Sequence, residues 1–93
     1  MEEVFLNEKP VKALIQIQAM SEAYSSVIGN EIETTYAHTV KIVGRLEDLG
    51  LIHTRRHGRK KFLDTTEKGD EVADALKNLL DKFNGRKIEV PAE

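Results

Sequence analysis

Residues 34–63 read TTYAHTVKIVGRLEDLGLIHTRRHGRKKFL. Thr35 carries the kind of side-chain oxygen that a helix start needs, able to accept from the N–H of Ala37 or His38. Behind it Thr39, Ile42, Val43, Leu46 and Leu49 recur at helical spacing and predict one buried face. Tyr36, His38, Lys41 and Arg45 fall largely on the remaining surface. Gly50 follows Leu49 directly and predicts a stop in the left-handed conformation. Leu51 and Ile52 then open a strand that continues to about Arg56. His57-Gly58 is expected to make the turn, with Gly58 tolerating positive φ. Arg59 to Asp64 returns, anchored by Phe62 and Leu63. The stretch is thus a helix followed by a short basic hairpin.

Outward from it, the chain supplies helices on both sides. Val4, Phe5 and Leu6 form a short apolar run, expected as a strand or a plug against the core. Asn7 can cap a helix that has Pro10 in its first turn, where the missing N–H costs little. Val11, Leu14, Ile15 and Ile17 make its apolar stripe to about Ala19. Met20 to Tyr24 reads as a connector. Ser25 or Ser26 starts a second helix through Val27 and Ile28, kept short by Gly29 and Asn30, with Ile32 docking the turn. On the far side Thr66 caps a last helix whose stripe is Val72, Ala73, Leu76, Leu79, Leu80 and Phe83. From Asn84 onward Gly85, Pro91 and alternating charge predict a frayed tail. Two short helices joined by a tight turn, the second followed by a basic hairpin, make a winged helix-turn-helix. The fold class is α+β, mainly α: a three-helix core, a two-stranded basic wing and a C-terminal helix. The domain is placed at 1–83, its last helix at about 66–83 and the tail at 84–93.

At 93 residues the chain is one domain that buries roughly 60–65% of its unfolded surface, so a partner subunit would add stability. It has no cysteine, which excludes disulfides, thiolate ligands and a cysteine nucleophile. Its apolar runs are too short for a membrane span, and its acidic start is no secretory signal, so a cytoplasmic location is expected. The net charge is −2, but residues 34–63 alone carry seven Lys or Arg against Glu47 and Asp48, while both flanks are acidic. For a polyanion partner the clustering counts for more than the sum. A glycine-rich phosphate loop, a Ser-His-Asp set and a paired-carboxylate pocket are all missing, so an enzyme is not expected. His53 and His57 do not share the spacing of helix-borne ligands and have no third ligand nearby, so no metal is expected. No residue pattern assigns a cofactor or a small-molecule effector.

The string TVKIVGRLEDLGLI, a basic hairpin, then DTTEKGDEVADAL resembles the MarR-like and related small archaeal winged-helix transcription regulators. Leu46-Glu47 stands where such proteins end the recognition helix. Gly50-Leu51-Ile52 stands at the turn into the wing, and Thr65-Thr66-Glu67-Lys68-Gly69 where a Leu-Thr-x-x-Gly segment opens the next helix. The Tyr36-Ala37-His38 helix start looks like the archaeal variety. The likeness covers roughly residues 7 to 80. Thr65 departs from the usual leucine and Thr34 from a usually apolar position. The wing is short, and the terminal helical extensions of full-size MarR proteins are reduced. The resemblance implies a DNA-binding transcription regulator that acts as a dimer.

A recognition helix in the major groove reads base edges near its N-terminus, which selects Tyr36, His38 and Lys41. Thr34 and Thr35 are expected at a phosphate or as caps, and Arg45 at the backbone. Tyr36 can stack on a thymine methyl or donate to a phosphate, or else pack on the second helix. Wing residues Arg55, Arg56, Arg59, Lys60 and Lys61 would neutralise phosphates or enter a narrow minor groove. Strand alternation lets about three of them touch DNA together. Leu76, Leu79, Leu80 and Phe83 are expected to pair two protomers. The expected function is a sequence-specific double-stranded DNA-binding transcriptional regulator, working as a homodimer with no membrane partner. The alternative is a winged-helix protein-interaction module in a transcription or replication complex, which should show an apolar patch on the recognition helix.

Overall fold

The computed structural model describes residues 8–86, with side chains through Lys82. Its elements run α1 (Glu8–Ala19), α2 (Ser25–Glu31), α3 (Tyr36–Asp48), β1 (Ile52–His57), β2 (Lys60–Thr65) and α4 (Glu67–Arg86). The expected Val4–Leu6 run and the Asn7 cap lie outside the described residues. The last helix runs three residues past its expected end at Phe83. The fold is the expected one: four helices, mainly α, with a two-stranded antiparallel sheet as the wing.

One core gathers all the elements. Leu14 and Ile17 of α1, Ile28 of α2, Leu46 of α3, and Leu51, Ile52 and Leu63 around the sheet are almost completely buried. Each such side chain contributes about 1.5–3 kcal/mol through removal from water. Thr39 is the buried polar member, and its hydroxyl donates to the Thr35 carbonyl at 2.7 Å, so its burial leaves no unmet hydrogen bond.

The helix ends decide how α2, α3 and α4 are set against one another. Thr35 caps α3 by accepting from the His38 N–H at 3.2 Å. At the other end the Gly50 N–H reaches the Glu47 carbonyl and the Leu51 N–H the Leu46 carbonyl, at 2.9 and 3.0 Å. That pair is a Schellman motif, and Gly50 takes the left-handed conformation it requires, φ 77°. The α2 end repeats the pattern: Glu33 N–H to Asn30 carbonyl at 3.3 Å, Thr34 N–H to Gly29 carbonyl at 2.9 Å. There the left-handed position holds Glu33, φ 57°. Lys9 of α1 donates to the Ile32 and Glu33 carbonyls and holds this turn from outside.

Two glycines owe their place to close approach. A Cβ on Gly29 would lie 2.7 Å from the Thr39 hydroxyl oxygen, so α2 and α3 cross with nothing between them. Its sequence position predicts only a weakened helix interior; the close approach comes from how the two helices pack. A Cβ on Gly69 would lie 1.8 Å from the Leu51 carbonyl oxygen. The start of α4 therefore presses on the turn that leaves α3. Thr66 completes the junction: its hydroxyl accepts from the Gly69 N–H at 3.0 Å and donates to the Gly50 carbonyl at 2.7 Å. The Thr66-x-x-Gly69 spacing thus has a local cause, one residue capping and the other yielding space.

The hairpin turns one residue later than expected. His57 pairs with Lys60, leaving Gly58-Arg59 as a two-residue loop. Gly58 alone has positive φ, 66°, the signature of a turn with glycine at its first central position. The connector between α1 and α2 also joins the sheet. Leu63 donates to the Ala23 carbonyl at 2.7 Å, which makes an isolated bridge beside β2.

Candidate nucleic-acid interface

The N-terminal half of α3 and the hairpin stand side by side, because Gly50 ends the helix and Leu51 and Ile52 are drawn at once into the core. On α3 the buried side is Thr39, Ile42, Val43 and Leu46. Leu49, also expected there, is partly buried against the same core. Thr35, Tyr36, His38, Lys41 and Arg45 are all exposed, and Thr34 is half-buried.

These exposed residues do not form one cluster. His38, Lys41 and Arg45 look toward Glu8, Lys9 and Pro10 of α1 across a shallow groove. Tyr36 lies on the other flank with Val40, Gly44 and Glu47, in a cleft of about 400 Å³ whose far wall carries Arg59, Lys60 and Lys61 of the wing. Tyr24 and Ser25 close that cleft at one end. Sequence reading missed Val40. It is 45% exposed, in line with Tyr36 at 63%. The signal was available, because Val40 falls four residues after Tyr36 and off the buried stripe.

The wing residues also divide. Register places Arg56 and Lys61 opposite each other on one face, and Arg55, His57, Lys60 and Phe62 on the other. Arg56, Arg59, Lys60 and Lys61 are exposed and have no carboxylate partner among the described residues. Lys60 reaches over the Tyr24 ring, 5.6 Å from its centroid. Arg55 is differently placed. Its guanidinium donates through Nε to Asp64 at 3.0 Å and through Nη2 at 3.5 Å. It also lies 5.0 Å over the Phe62 ring, which meets Tyr24 edge-on at 6.0 Å. The hydrogen bond to Asp64, and then the charge of that carboxylate, raises the Arg55 pKa further above its ordinary value. Arg55 is thus a charged residue whose fork is already occupied. Asp64, the cause, sits nine positions away and shows no periodicity that would announce the pair.

On α4, Ala73 is buried, and Val72 and Leu76 pack at the edge of the core. Leu76, expected between protomers, therefore serves its own chain at least in part. Leu80 is half-buried and Leu79 is 49% exposed. The Phe83 side chain lies outside the described residues. Among the described residues no set of three or more His, Cys, Asp or Glu could hold a metal ion, and no helix is long and apolar enough to cross a membrane.

No family model matches the sequence. A curated protein from Archaeoglobus fulgidus, itself uncharacterized, is 22% identical over 82 residues, covering 84% of this chain and 86% of that one. Among solved structures, a MarR-family transcriptional regulator from Rhodococcus superposes with a TM-score of 0.81 at 22% identity, over 98% of this chain and 67% of that one. FabT from Streptococcus pneumoniae, solved in complex with DNA, gives 0.78 at 20% identity, over 91% of this chain and 62% of that one. The chain thus spans about two-thirds of the length of these two regulators. At such identities the likeness is one of fold: this chain has the winged helix-turn-helix fold of transcriptional regulators, the MarR family among them.

Proposed function

We propose that this chain is a sequence-specific double-stranded DNA-binding transcriptional regulator. The observation that carries the reading is the placement of charge. Among the described residues Arg56, Arg59, Lys60 and Lys61 have no carboxylate partner, and they stand beside the exposed first turns of α3, on a chain whose net charge is negative. Cations gathered at one edge of an exposed helix suit a groove lined by phosphates. That FabT, which shares the fold, has been solved with DNA supports the same use.

In this reading α3 enters the major groove. Tyr36, His38 and Lys41 face base edges, Thr34 and Thr35 approach a phosphate, and Arg45 meets the backbone a turn further on. The wing lies on the backbone or in the adjacent minor groove, with Arg59 at its tip and Arg55 contributing less. Two protomers pair through α4, by Leu79 and Leu80 with Leu76 and Phe83, and so match a two-fold symmetric site. The chemistry requires no cofactor and no catalysis.

Binding to a random-sequence duplex, followed against salt, tests this. With about four phosphate contacts per protomer, a dimer gives a slope of log K against log salt of about −7. A slope near −1 would overturn the reading. The second reading, a protein-interaction module, draws on one observation: Tyr36 and Val40 leave apolar surface on α3. It requires that the duplex bind weakly at every salt concentration.

A further inference from the structure

We infer that Tyr36 and Val40 form a strip that reads the C5-methyl groups of thymine in the major groove. The inference deepens the DNA-binding reading and rests on it. Among the described residues the exposed large apolar side chains are Tyr36, Val40 and Leu79. Two of the three fall on α3, four residues apart on one flank, where helix stability requires neither. Their spacing is about 6 Å along the helix axis, close to two base-pair steps at about 3.4 Å each.

The surroundings select the occupant. The cleft beside the strip has Arg59, Lys60 and Lys61 along one wall, which favours an occupant that carries negative charge. Glu47 shares the cleft, but it stands about two turns beyond Val40, and its carboxylate lies 3.4 Å from the Thr54 hydroxyl. The acid borders the strip rather than interrupting it. A protein partner would need roughly 800 Å² of matched surface on each side, far more than two side chains beside a cationic wall present. In the major groove the apolar atom offered by a base edge is the thymine methyl, which matches an apolar strip beside a cationic wall.

Uracil separates this from the reading it rests on, because it pairs as thymine does and differs only in the methyl. Duplexes are selected from a random pool and the best binder is resynthesised with deoxyuridine at each thymine in turn. Affinities are then measured for the wild type, Val40→Ala and Tyr36→Ala, with thermal melting to check the fold. At one or two positions, loss of the methyl weakens wild-type binding about threefold to fivefold, the scale of one buried methyl-sized group. In the variant that has lost the matching side chain, the thymine-to-uracil ratio falls to about one. Wild-type binding that is equal with thymine and uracil at every position overturns the strip and leaves DNA binding standing. Alanine variants that melt normally and keep the full uracil penalty also overturn it. Thymine duplexes that fail to bind even at low salt overturn both, and leave the Tyr36–Val40 face to a protein partner.

Discussion

Glu33 and Gly50 occupy the same position in two copies of one motif. Both follow a helix C-cap, and both take positive φ with the same pair of closing N–H bonds. Only Gly50 can do so without a Cβ penalty. Opposite responses follow. Gly50→Ala meets no neighbour within 4 Å, so it should cost only the backbone penalty, about 1 kcal/mol. Glu33→Gly should raise stability by up to about 1 kcal/mol, less the extra freedom of the unfolded chain. Urea denaturation of the two variants checks both signs, and a loss in both would show that the left-handed turn at Glu33 is not strained. At the wing, Arg55 and Arg59 look alike in sequence but not in setting. Arg59→Ala should weaken duplex binding severalfold, in the range of lost phosphate contacts, and lower the salt slope of a dimer by about 2, one contact in each protomer. Arg55→Ala should weaken binding less, because Asp64 already holds the fork. Asp64→Ala should tighten binding by freeing Arg55 and removing an acid. Titration at fixed salt ranks the three.

The α2–α3 pair meets where Gly29 lies against Thr39, with no room for a Cβ between them. Gly29→Ala must push the Thr39 hydroxyl aside, an overpacking cost of about 1–3 kcal/mol. Thr39→Ala removes the obstructing oxygen and leaves the next neighbours at 3.4 Å or more, so the double variant should recover much of the loss. A double-mutant cycle in urea should therefore show coupling of at least about 1 kcal/mol. Additive losses would place the constraint elsewhere, in the backbone of the turn. Gly69 gives a harder version of the same test. Its obstruction is the Leu51 carbonyl, which cannot rotate away, so the cost of Gly69→Ala should exceed that of Gly29→Ala in the same assay.

For the whole molecule, the question is how many chains the working unit contains. Val72, Ala73 and Leu76 satisfy the intrachain core, and Leu79 and Leu80 are left with surface in hand. If α4 pairs two protomers, Leu79→Glu should turn a dimer into a folded monomer, halving the mass seen by light scattering at tens of micromolar. It should also reduce the salt slope toward half its value, about −3.5. Wild-type protein that is monomeric at that concentration would remove α4 pairing from the proposal.

Sequence alone was enough for the order of the described elements, because that information is local. The 3.6-residue period of Thr39, Ile42, Val43 and Leu46, the Thr35 and Thr66 caps and the Gly50 stop each act within a few residues. The concentration of positive charge between residues 34 and 63 was legible for the same reason. Tertiary structure decided what those residues meet. It joined Arg55 to Asp64 and Phe62, pressed Gly29 on Thr39 and Gly69 on Leu51, and gave part of Leu76 to its own core. It also divided the exposed face of α3, with His38 toward α1 and Tyr36 with Val40 toward the wing. Periodicity tells which side of a helix is buried. Which neighbour stands beside the exposed side depends on how separate elements cross, and that is settled by contacts between residues far apart in the chain.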